Sequence, residues 1–317
     1  MLAGAGPHAP THEWVDLFMN GTEALHRGRA AFRAQVWREA STQLSAADQV
    51  APLGGDDLER LAVSTYLAGN DAASVEAWTR AYNLHLHARS DVPRAARCTF
   101  WMVLELLSLG EWARAAGWLA TAQRLLDQGN HDCPERGLLQ VLFARAFLKE
   151  QNEMAAYDAA SQAAALGDRF NDPELKVFGR LSQALVHARR GEADAAAALF
   201  DEVMVAVTNG SVSPIGAGVV YCAVIGGCHE ILDVGRAREW TAALATWCNA
   251  QSDLVAYRGQ CRVHRAETMR LCGAWTDAMA EARQAFSGPS RTPGRLDNFD
   301  TVAPPVRDYA TGAAFCG

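Results

Sequence analysis

Proline is scarce in the middle of this sequence. Four prolines lie between Asp57 and Phe286, and each is followed by a long stretch rich in Ala, Leu, Arg and Glu. Runs of β-branched residues are also few, so the composition has little of what strands favour and much of what helices favour. Since half of the 317 residues are hydrophobic, there is ample material for a core. The sequence therefore predicts an all-α protein.

The sequence also lacks a basic cluster. Its 29 Lys and Arg residues are outnumbered by 36 Asp and Glu residues, which gives a formal charge of −7, and the cations are spread along the chain. A protein that binds nucleic acid through its backbone phosphates usually carries a basic stripe or tail. We therefore expect no direct nucleic-acid contact from this chain.

No stretch of about eighteen apolar residues is present, which argues against a membrane span. The first residues do not combine a basic region with an apolar core, as a secretory signal would. Eight cysteines occur without any C-x-x-C pair, and most lie on apolar helix stripes. Together these features predict a cytoplasmic protein with reduced, buried thiols.

A short pattern recurs along the chain at intervals of about forty residues. Each copy has a Gly or Asn followed, after two positions, by an alanine-rich amphipathic helix. The copies begin at Gly69, Gly110, Asn152, Gly191, Gly235 and Gly273. We interpret each Gly as the left-handed end of one helix and the following stretch as its antiparallel partner.

The first helix of several pairs has its own start signal. The segments Asp91-Val-Pro93, Asp132-Cys-Pro134 and Asn171-Asp-Pro173 each place a capping side chain just before a proline. The pattern predicts a right-handed superhelical solenoid of about six helical hairpins over residues 14–286. Residues 1–13 are expected to be a disordered N-terminal segment, and residues 287–317 a proline- and glycine-rich tail.

The repeats resemble tetratricopeptide repeats, because Gly-x-Trp-x-x-Ala occurs at Gly110–Ala115 and again at Gly273–Ala278. Residues 20–286, most strongly over their last seventy residues, also resemble the helical-repeat region of actinobacterial LuxR-type transcriptional regulators. In that family the repeats precede a carboxy-terminal helix-turn-helix, whereas only about thirty residues without a basic helix pair follow Phe286 here. The resemblance implies a sensor or scaffold half of a regulatory system. Three forms of this remain open: a truncated relative, a partner of a separate DNA-binding chain, or a stand-alone protein.

Cysteine, histidine and glutamate residues cluster in the last two hairpins. Cys222, Cys228 and His229 fall on one predicted helix, and Cys261, His264 and Glu267 fall on the helix two along. Such a set could hold zinc, and Cys261, His264 and Glu267 could form a thiol nucleophile with its base and acid. The spacing matches no established zinc or catalytic motif, and such residues on apolar stripes usually belong to the core. We therefore predict no metal, cofactor or catalytic residue. The alternative is an enzyme with a pocket in the solenoid channel that uses these groups.

Tetratricopeptide repeats bind their partners on the concave face, which the first helix of each hairpin lines. On that resemblance we predict a non-enzymatic recognition surface for a peptide, a protein partner or a small effector. The candidate residues carry aromatic, cationic and hydrogen-bonding groups: Tyr221, His229, Tyr257, Arg258, Arg262, His264, Arg265 and Glu267. In the alternative, the arginines form ion pairs within the repeats instead of binding a ligand. Exposed apolar faces on the end repeats allow a homodimer, and the neighbouring His85 and His87 are expected at the solvated surface.

Overall fold

The computed structural model describes residues 12–251 and 253–287. The predicted terminal segments, residues 1–13 and 287–317, lie almost entirely outside the described residues and stay predictions. The described residues form fourteen α-helices and no strand, so the predicted all-α hairpin array is confirmed. The helices are α1 His12–Arg33, α2 Trp37–Val50, α3 Gly55–Leu67, α4 Asp71–Asn83, α5 Val92–Ser108, α6 Trp112–Gln128, α7 Glu135–Lys149, α8 Glu153–Phe170, α9 Pro173–Arg189, α10 Ala193–Thr208, α11 Pro214–Glu230, α12 Val234–Asn249, α13 Arg258–Leu271 and α14 Trp275–Ser287.

Four of the repeat glycines end a helix as predicted. Each has a positive φ, where a side chain would be strained: Gly69, Gly110, Gly191 and Gly273. Gly235 is different, because it lies inside α12, and Leu232 takes the left-handed position instead, with φ of 58°. The prediction for Gly235 is therefore wrong. At Asn152 the left-handed residue is the preceding Gln151, and Asn152 caps α8 by accepting from the Ala155 amide.

Two of the three predicted caps before a proline form. Asp91 accepts from the Arg94 amide at the start of α5, and Asp172 accepts from the Leu175 amide at the start of α9. The third is wrong, because the carboxylate of Asp132 pairs with Arg169 rather than with the start of α7. The caps that do form give α5 and α9 fixed starting points and therefore a fixed register.

The first helices of successive hairpins pack against one another at the centre of the array. Phe100 in α5 contacts Phe178 in α9 across two repeats, with ring centroids 5.5 Å apart. Arg97 in α5 donates both to Glu135 in α7, at 2.9 Å, and to Asp172 before α9, at 2.6 Å. The array therefore curves so tightly that side chains fill its inner side here.

The segment between α12 and α13 returns to the amino-terminal hairpins. Trp37 in α2 donates its indole N–H to Gln251 Oε1 at 2.7 Å, and the Val255 amide donates to the Leu67 carbonyl at 2.8 Å. Tyr66 and Tyr257 pack edge to face, with centroids 6.1 Å apart. In an open solenoid each repeat contacts its sequence neighbours. Here the array closes on itself through Gln251 and residues 253–257.

None of the described helices has an apolar stretch of the length needed to cross a membrane.

Candidate functional site

The two tyrosines proposed for the concave face lie in the core. Tyr221 in α11 and Tyr257 before α13 are both buried, and Trp247 packs against each of them, at 6.0 Å and 5.9 Å between ring centroids. Tyr257 donates its hydroxyl proton to the Ile215 carbonyl at 3.0 Å. A β-carbon on Gly218 would come within 2.2 Å of the Tyr257 ring, so this ring is closely packed against α11. These aromatic rings stabilise the closure of the array.

Two of the three predicted arginines bind groups within their own hairpin. Arg262 donates to Gln284 in α14, and Arg265 pairs with Glu281 in α14 at 2.9 Å. Arg258 donates to the Leu254 carbonyl at 2.5 Å and to the Gln251 carbonyl at 2.9 Å. Arg258 therefore holds the closing segment in place, whereas Arg262 and Arg265 tie α13 to α14.

A groove runs between α12 and α13 and ends near the start of α14. It has a volume of about 670 Å³, and its polar or charged lining residues are Arg238, Thr241, Arg265 and Thr268. Short apolar side chains of α12, with Met269 of α13, make up most of the remaining wall. Arg238 is exposed and has no ion pair within the described part of the chain. The groove therefore combines an apolar floor with an uncompensated cation.

The other predicted residues, His229, His264 and Glu267, do come together. His229 in α11 and His264 in α13 each direct Nδ1 toward the same carboxylate oxygen, Glu267 Oε2, at 3.4 Å and 3.5 Å. His264 and Glu267 are buried. Burial would raise the pKa of Glu267, but the two imidazoles beside its carboxylate lower the pKa to about 2. The cluster therefore holds an ionised carboxylate between two imidazoles in the core.

The three cysteines predicted beside this cluster are buried elsewhere. None of these three cysteines belongs to the close group of His229, His264 and Glu267 atoms. Cys261 instead interacts with Cys248, and the Cys248 thiol, together with Arg265, lowers the pKa of Cys261 against the effect of burial. Burial raises the pKa of Cys228 to about 12, so that thiol stays protonated. The sequence placed the right helices together, but the cysteines face different neighbours.

Sequence reasoning missed a second cluster around Glu59. His85 was expected at the surface, yet it is fully buried and its Nε2 lies 2.8 Å from Glu59 Oε1. The reason is the π-helical turn Leu84–Ala88, which extends α4 and shifts the faces that an α-helical count assigns. Arg94 donates to the same oxygen at 2.8 Å, and burial raises the pKa of the adjacent Cys98 far above its usual range. Arg94 compensates the charge of the Glu59 carboxylate, and the Cys98 thiol beside it stays protonated. We therefore interpret these groups as a structural network.

Comparison with known proteins finds similarity among solved structures. No protein-family model matches the chain, and no curated protein matches it. Among solved structures, a tetratricopeptide repeat protein from Parabacteroides merdae is similar, with a TM-score of 0.47 and 16% sequence identity. That match covers 89% of this chain and 99% of the other.

Proposed function

We propose that this chain is a non-enzymatic recognition protein, the sensor half of a LuxR-type regulatory system, that binds a small anionic effector in the groove between α12 and α13. The observation that carries the proposal is the groove itself. Its volume of about 670 Å³ lies within the range of roughly 300–1,000 Å³ that is typical of small-molecule sites. The sequence resemblance of residues 20–286 to LuxR-type repeats, strongest over the last seventy residues, supports the regulatory assignment.

The lining of the groove favours an anion with an apolar body. Arg238 contributes a guanidinium without an ion pair among the described residues, and Arg265 contributes a second one that Glu281 already engages. The hydroxyls of Thr241 and Thr268 donate to the backbone carbonyls of their own helices, at 2.6 Å and 2.8 Å. Their oxygens can therefore accept, but the cations are the groups that select for negative charge.

A second groove was compared with the first as a possible site for the anionic effector. It has a volume of about 460 Å³ between the hairpins of α5 to α7, and Trp112 and Lys149 line it. The Lys149 ammonium lies 3.3 Å from the centre of the Trp112 ring, so this cation already has an aromatic partner. We therefore assign the anionic effector to the groove that contains Arg238.

The test is a fluorescence titration with 8-anilino-1-naphthalenesulfonate, an apolar aromatic sulfonate. We expect Arg238→Gln to weaken binding of this probe about tenfold, because one charge-assisted contact contributes roughly 1.5–3 kcal/mol and part of it is solvent-screened. Arg283→Gln removes an exposed arginine of α14 outside the groove and is the charge-matched control. Equal affinity in Arg238→Gln and in the control, or a larger loss in Lys149→Gln, would overturn the assignment.

The regulatory half of the proposal has its own test. If another chain supplies the DNA-binding module, a gene beside this one should encode a basic helix-turn-helix protein that co-elutes with this chain after co-expression. Absence of such a gene, or separate elution of the two proteins, would count against the LuxR-type assignment and leave effector binding in place.

A further inference from the structure

We infer that His229, His264 and Glu267 form a binding site for a divalent transition-metal ion of the zinc type, which ties α11 to α13. One ligand atom from each residue lies within 4.8 Å of the others. Two histidines and one carboxylate are a donor set that suits Zn²⁺. The inference does not depend on the effector groove, since no groove ligand is needed to form the cluster.

The orientation of the His229 ring is the first argument. Thr268 has one hydroxyl proton, which it donates to the His264 carbonyl at 2.8 Å. The contact of 3.0 Å between Thr268 Oγ1 and His229 Nε2 must therefore have the imidazole as donor. With Nε2 as the donor to Thr268, Nδ1 is the ring nitrogen of His229 that faces the Glu267 carboxylate, at 3.4 Å, and it is therefore the atom placed to bind a metal ion.

The distances from the imidazole nitrogens to Glu267 Oε2 indicate whether a proton or a metal ion fits better between them. A proton on His229 Nδ1 would draw the carboxylate into a charge-assisted hydrogen bond of about 2.7–2.9 Å. The observed separations are 3.4 Å for His229 and 3.5 Å for His264. Zinc bonds of about 2.0–2.1 Å at tetrahedral angles place neighbouring ligand atoms about 3.3–3.4 Å apart. The spacing of both imidazoles from Glu267 matches the edge of such a tetrahedron.

The second argument comes from His264. It is fully buried, and neither of its ring nitrogens has a hydrogen-bond partner among the described residues. A buried imidazole without a partner loses the hydrogen bonds that it made to water. A metal bond to Nδ1 would compensate for part of that loss. The hydrogen bond from His229 Nε2 to Thr268 is, in turn, the outer contact that usually orients a metal-ligating histidine.

The test is a titration of the full chain, freed of any affinity tag and dialysed against a chelator, with Co²⁺ and with Zn²⁺. We expect one equivalent of metal per chain, the intense visible absorption of tetrahedral Co²⁺, and its loss when Zn²⁺ displaces Co²⁺. Both His229→Gln and Glu267→Gln should abolish the Co²⁺ spectrum. His26→Gln, an exposed histidine of α1, is the matched control and should bind like the wild type.

Thr268→Val gives a second measurement that does not remove a ligand. It keeps the side-chain shape but takes away the acceptor that fixes His229, so we expect metal affinity to fall roughly 10- to 100-fold with the stoichiometry unchanged. If the wild type takes up no metal, or if His229→Gln retains the same equivalent, the inference is wrong and the cluster is a buried ion pair. Should a ligand variant fail to fold by circular dichroism, the wild-type titration and Thr268→Val still decide.

Discussion

Closure of the array makes a quantitative prediction about its two ends. The indole N–H of Trp37 donates to Gln251 Oε1 at 2.7 Å, and Trp37 is fully buried. The substitution Gln251→Ala leaves this donor buried without its partner, which costs roughly 1–3 kcal/mol. Because about 1.4 kcal/mol is a factor of ten in an equilibrium constant, opening of α2 should become roughly 5- to 150-fold more frequent.

Hydrogen exchange followed by mass spectrometry measures this directly. Peptides from Trp37–Val50 should exchange faster in Gln251→Ala, although the substitution lies more than two hundred residues away in sequence. Asn249→Ala is the control, since Asn249 is exposed at the end of α12, two residues before Gln251. If exchange quickens only around α12 and α13 while α2 keeps its wild-type rate, the amino-terminal hairpins do not depend on this contact and the reasoning fails.

Three further predictions concern buried charge, thiol exposure and pH. Arg97→Met should lower the free energy of unfolding by about 3–5 kcal/mol in urea denaturation, because Glu135 and Asp172 lose their shared cation; a loss below about 1 kcal/mol would contradict this. Cys272 is the exposed thiol among the described cysteines, so peptide mapping after brief alkylation of the native chain should find it labelled before the buried ones. Hydrogen bonds and charge interactions with Arg29 and Arg60 lower the pKa of Asp57. The ionised carboxylate therefore stabilises the fold fully above the pKa of the unfolded state, and this stabilisation is lost as the pH falls through the lower pKa of the folded state. The urea midpoint should therefore fall less between neutral and acid pH in Asp57→Asn than in the wild type, and equal falls would refute this.

The hairpin array could be predicted because its signals are local. A glycine that must adopt a positive φ, as at Gly110 or Gly273, marks a helix end whatever the rest of the chain does. A cap such as Asp91 depends only on an amide three residues away. Gly235 shows the limit, because Leu232 accepts the left-handed position at some strain and the glycine falls inside the next helix.

Closure could not be predicted, since nothing in the periodicity relates Trp37 to Gln251. The sequence predicts Tyr221 and Tyr257 on the concave face, but helical spacing cannot say whether a helix face lines an open surface or meets a returning segment. The same limit applies to the site. Spacing brought His264 and Glu267 to one edge of α13, whereas the approach of His229 from α11 depends on the tertiary packing.

The central claim is that the chain recognises an anionic small molecule at Arg238 without acting on it chemically. Native mass spectrometry tests this most directly, with the wild type and Arg238→Gln each incubated with a small-molecule extract of host cells and then gently desolvated. We predict an added mass of an unaltered anionic compound on the wild type, and its loss in Arg238→Gln. The bare chain mass for both proteins, or an added compound that Arg238→Gln retains equally, would contradict the claim.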